Sequence, residues 1–336
     1  MDHRDGTLAA IRDAYALTQN GPPRQVSERV WHLPTDCGGM AVKLYTSEQH
    51  ERANKEAAVL AHLQAHGDAR FRVQALRRTA AGELLWTGDG VCAMATRWEA
   101  GRCRTYDTFA PAEWDALGAS LAALHLSLDG LRIPAFDTLR ARLALVDADR
   151  VRRSLIEAPG RAPSASDTSC LRAYVDACLR LIDEYYPGSV EAFPSDDPQR
   201  PIHNDYNQFN YLFDGRLPPL ILDWEAAIGA PREFELVRCL NHLPLEAPGL
   251  AEVFVLAYLR VRPLRAGHIA WAVDAACLQH ALKLWVVQGW LDDPQRFASH
   301  LHGAAKMAST MVGARRRMID FFSRCMEAAG RGACES

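Results

Sequence analysis

The segment Pro201-Ile202-His203-Asn204-Asp205-Tyr206-Asn207-Gln208-Phe209-Asn210 puts a carboxylate and a side-chain amide in one loop, and Asp223 follows after two short apolar runs. Those runs, Tyr211-Leu212-Phe213 and Leu220-Ile221-Leu222, flank an Asp214-Gly215 turn and read as a hairpin. Its two ends lie side by side, so Asn210 and Asp223 can converge on one cation with Asp205 nearby. Magnesium prefers hard oxygen ligands, and this pair supplies two while leaving positions for phosphates and water. Asp205 is then free to accept a hydrogen bond from a hydroxyl and take its proton. That is the equipment of phosphoryl transfer, whose loose transition state asks the protein to position reactants and neutralise oxygens.

The elements that must hold these residues form an α+β pattern. A short helix is expected around Leu8 to Leu17. Arg24 to Leu33 and Met40 to Tyr45 read as strands joined by the turn Thr35-Asp36-Cys37-Gly38-Gly39. Thr46 with Gln49 forms a capping-box pattern, and Ala53, Ala57 and Leu60 continue it at helical spacing, predicting a helix from about Ser47 to His66. Further strands are expected at Phe71 to Arg77, Gly82 to Trp86 and Val91 to Trp98. From Pro111, the series Trp114, Leu117, Leu121, Leu124 and Leu128 keeps one apolar helical face. Beyond it the chain is mainly helical, with loops at Pro159 to Ser166 and Phe193 to Arg200, and with Trp271, Trp285 and Trp290 supplying bulk.

The motif HxDxxxxN followed by Asp223-Trp224-Glu225 resembles the aminoglycoside phosphotransferase and choline kinase superfamily, relatives of the protein kinases. Gly229-Ala230-Pro231-Arg232-Glu233-Phe234-Glu235-Leu236 is similar to that family's GxPxxDL segment, with Glu235 in the aspartate position. The resemblance implies a two-lobed protein-kinase-like fold: a small antiparallel-sheet lobe with one helix, residues 1–97, binding the nucleotide, and a larger mainly helical lobe, residues 98–336, for catalysis and substrate. It implies Asp205 as catalytic base, Asn210 and Asp223 as metal ligands, and His203 and Glu225 as structural support. Upstream it implies a strand lysine held by a helix glutamate. Lys43, flanked by Val42 and Leu44, points away from their face, and Glu56 is its counterpart in the ExxxLxxL pattern. Val91 to Gly101 looks like the edge strand and hinge that meet the adenine, which brings in Met94, Thr96 and Trp98. Leu121-Ala122-Ala123-Leu124-His125 resembles a family helix in which His125 is structural.

The sequence departs from that family's pattern in two places. No GxGxxG loop and no Walker lysine motif are present, so the phosphates must be covered by another hairpin, and the tip at Ser27-Glu28-Arg29 is the best placed. Asn204 stands where glycine is common. With no DFG and no APE segment, control by an activation loop has no support.

Composition narrows the partners. With 38 basic and 41 acidic residues the net charge is -3, which offers no excess of positive charge for a nucleic-acid backbone. No run approaches the roughly 20 apolar residues that span a bilayer, and the first residues lack the apolar stretch of a signal peptide. Nine cysteines without a CxxC pair fit neither a disulfide framework nor a zinc site. A cytoplasmic enzyme is expected, using ATP and Mg2+ to phosphorylate a hydroxyl of a small molecule such as an aminoglycoside, an amino alcohol or a homoserine-like metabolite. Two other readings stay open: a non-catalytic nucleotide-binding regulator with a kinase-like fold, and a metal-dependent hydrolase built from His203, Asp205 and Asp223. The sequence is silent on the acceptor's identity and on oligomeric state.

Overall fold

Residues 3–132, 137–163, 168–189, 191–282 and 284–334 are described by the computed structural model. They fall into two units of the chain, Met1–Phe136 with Arg200–Ile228, and Asp137–Gln199 with Gly229–Ser336. The last part of the expected loop at Pro159 to Ser166 lies outside the described residues; its first part forms a single helical turn at Ala158–Arg161.

The first unit opens with α1 (His3–Ala14), which starts earlier than its apolar pattern suggests. It stops before Ala16, whose φ of 47° is left-handed and ends a right-handed helix. Six strands follow: β1 (Arg24–Gln25), β2 (Val30–Thr35), β3 (Gly38–Thr46), then β4 (Arg72–Val73), β5 (Leu76–Arg77), β6 (Trp86–Gly88), and a seventh, β7 (Val91–Arg97), closes the series. Five of them run β1-β2-β3-β7-β5 in one antiparallel sheet, with β6 also paired to β7. Alternation along β3 decides which residues face what. Met40 and Val42, with Leu44 at the margin, join Ile11, Tyr15, Leu33, Ala93 and Ala95 in an apolar core. Lys43 and Ala41 take the other face, directly opposite Met94 and Thr96 of β7.

Three strand expectations need correcting. Arg24 to Leu33 is not one strand: β1 and β2 fold back on each other, pairing Arg24 with His32 and Gln25 with Trp31. Phe71 to Arg77 is not one strand: β4 leaves the sheet and pairs in parallel with Leu220–Ile221, while β5 stays with β7. Gly82 to Leu85 is a turn, because Gly82 has a φ of 87° and donates to the carbonyl of Thr79, so the strand begins only at Trp86.

The helix α2 (His50–Ala65) follows one turn at Ser47–Gln49, where the Gln49 amide oxygen accepts the Thr46 N–H at 3.3 Å. It buries Ala53, Glu56, Ala57, Leu60 and Leu63. In α3 (Pro111–Leu128), Pro111 occupies the first turn, where its missing N–H costs nothing. Glu113 accepts the Ala110 N–H at 2.7 Å, and His125 is buried on the apolar face. Later in the chain β8 (Pro201–Ile202) leads into the loop that holds His203 to Asn210, and β9 (Tyr211–Leu212) and β10 (Leu220–Ile221) pair antiparallel as the expected hairpin. Arg72 grips Asp214 in that hairpin's turn with two bonds of 3.0 and 2.8 Å.

The second unit is helical: α4 (Leu139–Ala144), α5 (Ala148–Glu157), α6 (Ser169–Ser189), α7 (Arg232–Leu240), α8 (Leu243–Glu246), α9 (Pro248–Leu259), α10 (Ala266–Leu282), α11 (Trp285–Asp292), α12 (Pro294–Met311) and α13 (Arg315–Cys334). α6 packs on α10 and α12, and two tyrosine hydroxyls fix it there: Tyr174 donates to the His280 carbonyl and Tyr185 to that of Met311. Trp271 and Trp290 are buried as expected of bulk, whereas Trp285 is exposed at the first position of α11. Among the described residues no helix is long and apolar enough to cross a membrane.

Candidate active site

Lys43 is the hub. Its ammonium lies 3.0 Å from Glu56, 2.9 Å from Asp223 and 3.1 Å from Glu225. Burial alone would lower its pKa, but three carboxylates outweigh that and hold it above the ordinary lysine value. Glu56 comes from the buried face of α2 with 1% of its surface exposed, and such a charge needs partners. It has three: Lys43, the hydroxyl of Tyr45 and the backbone N–H of Trp224 at 3.2 Å. Burial raises its pKa against the pull of Lys43. Tyr45 lies two residues beyond Lys43 on the same strand face, a position that alternation alone identifies, yet nothing in its residue type marked it.

The loop from His203 to Asn210 is held by its own polar groups. The His203 imidazole accepts the Asp205 N–H at Nδ1 and donates from Nε2 to the Leu222 carbonyl, 2.9 Å away. It also packs against the ring of Trp224, with centroids 4.4 Å apart. Burial holds its pKa below the ordinary value, so it is a neutral brace. Asn204 has a φ of 62°, the left-handed conformation that explains why glycine is usual there. Asn tolerates it better than most residues, and its side chain donates to the Ala226 carbonyl at 3.0 Å.

Asp205 is oriented by two amides. Asn207 donates to Oδ1 and Asn210 to Oδ2, each at 2.9 Å. Turning its nitrogen toward Asp205 leaves the Asn210 amide oxygen as the hard donor. The Leu222 N–H bonds the Asn210 carbonyl at 2.9 Å, which sets Asp223 just past Asn210 across the hairpin. Asp223 itself has a φ of 60°, a strained conformation of the sort that collects at functional positions.

Asn210 and Asp223 line a cavity of about 660 Å³ inside the first unit. Ser27, Lys43, Glu56, Met94, Thr96 and Trp98 line it too, so eight residues singled out from sequence share one wall system. Asp205, His203 and Glu225 reach that wall through Asn210, Leu222 and Lys43 respectively. The strand end that carries Met94 to Trp98 is fastened to the hairpin: Arg102 and Phe213 exchange both backbone bonds at 3.0 Å. Gly101, at a φ of 140°, sits where a Cβ would come within 2.6 Å of the Phe213 oxygen.

Glu56, Asp223 and Glu225 form a carboxylate triad whose oxygens lie within 4.8 Å of one another, but the Lys43 ammonium is ion-paired with all three. Hard oxygens beyond that ammonium's reach are the second side of Asp223 and the amide of Asn210. That donor chemistry fits a hard divalent ion. Gln74, missed from sequence, donates to the Thr96 hydroxyl at 3.2 Å on the cavity wall. Arg29, also missed as an individual side chain, bonds Glu225 at 3.0 Å.

Residues 18–271 match the model of the phosphotransferase enzyme family, APH. A comparison with curated protein sequences finds no match. Solved structures share the fold at low identity. A spectinomycin phosphotransferase, APH(9)-Ia, solved with ADP and spectinomycin, is 15% identical with a TM-score of 0.66, over 96% of this chain and 98% of that one. The amicoumacin kinase hAmiN, solved with AMP-PNP, Ca2+ and Ami, is 12% identical with a TM-score of 0.64, over 92% and 97%. A microcompartment-associated aminopropanol kinase is 18% identical with a TM-score of 0.60, over 96% and 99%. The chain, matched over three quarters of its length by the family's model, belongs to the phosphotransferase enzyme family and is an enzyme of the kinase type.

Proposed function

We propose that this enzyme transfers the terminal phosphoryl group of ATP, with magnesium, to a hydroxyl of a small molecule. The observation that carries the reading is the convergence of Lys43, Asn210 and Asp223 on one cavity, with Asp205 oriented beside Asn210. Lys43 would hold nucleotide phosphates, positioned by Glu56; Met94, Thr96 and Trp98 would form the wall for the base, and Ser27 the phosphate cover. Asn210 and Asp223 would hold the magnesium ion, which when bound neutralises charge on the phosphate oxygens. Asp205 would accept the acceptor hydroxyl's hydrogen bond and take its proton as the new O–P bond forms. His203 and Glu225 keep supporting roles. On this reading residues 1–97 are the nucleotide-binding lobe and residues 98–336 supply catalysis and the acceptor site, in the cytoplasm where ATP is made available.

Spectinomycin, amicoumacin and aminopropanol, named with the similar structures, are all hydroxyl-bearing small molecules, which supports that acceptor class. The test is a thermal-shift screen with Mg-ATP and a panel of amino alcohols, aminoglycosides and hydroxylated metabolites, followed by ATP-consumption assays. A ligand at 100 times its dissociation constant should stabilise by about 2.7 kcal/mol. Asp205→Ala should lower turnover about 10²- to 10⁴-fold while Mg-ATP still binds. ATP binding with no transfer to any acceptor would instead favour a regulator, and phosphate release independent of acceptor a hydrolase.

A further inference from the structure

Beside the cavity that holds Asn210 and Asp223 lies a second recess of about 530 Å³, and Arg102, Cys103 and Phe209 line both. One wall is the segment that follows β7, and the other is the loop that carries Asp205. Three hydrogen bonds staple them together: the Cys103 thiol donates to the Phe209 carbonyl at 3.2 Å, the Tyr106 N–H to Gln208 Oε1 at 2.7 Å, and the Gln208 N–H to the Tyr106 hydroxyl at 3.2 Å. Phe209 stands between Asn207 and Asn210, the two amides that orient Asp205. A molecule filling the recess therefore lies beside the proposed base.

The lining is one-sided in charge. Among the described residues two arginines line the recess and no carboxylate does. Arg104 is committed elsewhere, with Nη1 on Glu113 at 2.6 Å and its guanidinium over the rings of Phe109 and Phe213. Arg102 is not. Two backbone bonds to Phe213 pin its main chain, while its exposed guanidinium has no hydrogen bond or ion pair among the described residues. The ring of Phe209 is 70% exposed in the same recess, although its N–H and carbonyl are both bonded. An exposed arginine or an exposed aromatic is ordinary surface taken singly. Together, in a recess continuous with a phosphate-type cavity, they suit a ligand with an apolar or flat body and a negative charge. A polycation would meet a guanidinium and no counter-charge. Resting on the phosphoryl-transfer reading, we infer that this recess is the acceptor's subsite and that the acceptor is an acidic alcohol. Phe209 carries its body, Arg102 takes its carboxylate, and its hydroxyl reaches Asp205. The adenosine end of ATP bears no anion, so the charge that answers Arg102 belongs to the acceptor.

The experiment measures dissociation constants, with and without Mg-AMP-PNP, for two matched pairs: L-homoserine with its carboxamide, and para-hydroxymethylbenzoate with its carboxamide. Within each pair the acid and the amide share a shape and differ by the negative charge. Wild-type protein should bind the acid of at least one pair about 10-fold tighter than the amide, the worth of a hydrogen bond between charged groups. Arg102→Gln should erase that preference and leave Mg-AMP-PNP affinity as it was, and Arg102→Lys should keep part of it. Phe209→Ala should weaken the benzoate and its carboxamide alike. No acid preference in either pair would overturn the inference, as would a preference that survives in Arg102→Gln. An equal loss of Mg-AMP-PNP affinity in Arg102→Gln would assign the side chain to the nucleotide and overturn it too. Acid preference through Arg102 in a protein that binds no AMP-PNP would sink the phosphoryl-transfer reading and support the recess as an anion site by itself.

Discussion

His203 Nε2 donates to the carbonyl of Leu222, so the loop that carries Asp205 is bolted to the residue just before Asp223. One imidazole thereby sets the spacing between the proposed base and the proposed metal ligand. Replacing it by Gln should leave Mg-nucleotide affinity nearly intact and lower kcat, because the geometry of the two carboxylates is what loosens. A variant with wild-type kcat would remove His203 from that role.

The same histidine predicts a pH effect. Its folded pKa lies below the ordinary 6.5 because burial disfavours the imidazolium. The unfolded chain therefore binds a proton that the folded chain refuses, and stability falls as pH drops below about 6.5 until the folded pKa is reached. Melting temperatures between pH 7.5 and pH 5 should fall more steeply for wild type than for His203→Gln. Parallel curves would show that His203 contributes nothing to the slope.

Lys43 and Glu56 test the cost of an orphaned charge. Glu56 is almost wholly buried, and its salt bridge to Lys43 is 3.0 Å long. Lys43→Met leaves Glu56, Asp223 and Glu225 facing one another and should destabilise by about 3–5 kcal/mol. Adding Glu56→Gln should restore much of that loss, which urea denaturation of the single and double variants would measure. Additive losses would mean that the pair is uncoupled.

Asn204 tests the left-handed turn. Asn204→Gly accepts the φ of 62° freely but gives up the bond to Ala226, so the two effects nearly cancel. Asn204→Val gives up the bond and strains the backbone as well, and should cost about 1–3 kcal/mol of stability. Chemical denaturation of the two variants checks the order, and a valine variant as stable as the glycine one contradicts it.

Much of the site could be read because short-range geometry fixed it. The interval from Asp205 to Asn210 is a loop spacing, and β3 alternation alone sends Lys43 away from the Met40 and Val42 core. Glu56 came with the family resemblance, and its spacing to Leu60 and Leu63 puts it on the buried face of α2. What stayed hidden was set by tertiary placement. Arg29 gains its meaning from Glu225, 196 residues later in the chain. Phe71 to Arg77 looked like one strand because nothing in a short apolar run tells it to serve two partners, yet β4 joins the hairpin while β5 joins β7. The break falls at Gln74, whose side chain reaches Thr96 on the cavity wall.

The second unit carries its own test of charge balance. Arg265 bonds Asp197 and reaches Glu233 at 3.1 Å, and both carboxylates have side chains only 3% exposed. Burial pushes Glu233 up, but the hydrogen bonds from Arg265 prevail and hold its pKa below the ordinary glutamate value. A depressed carboxylate contributes stability above its unfolded pKa and loses it as pH falls through the folded one. Arg265→Leu removes the cation and strands two buried anions, so it should cost about 3–5 kcal/mol near pH 7. The loss should shrink toward pH 4, because Glu233, without the Arg265 bonds that hold its pKa down, takes up a proton before it does in the wild type. A deficit that stays constant from pH 7 to pH 4 would show that Arg265 acts by packing and not by its charge.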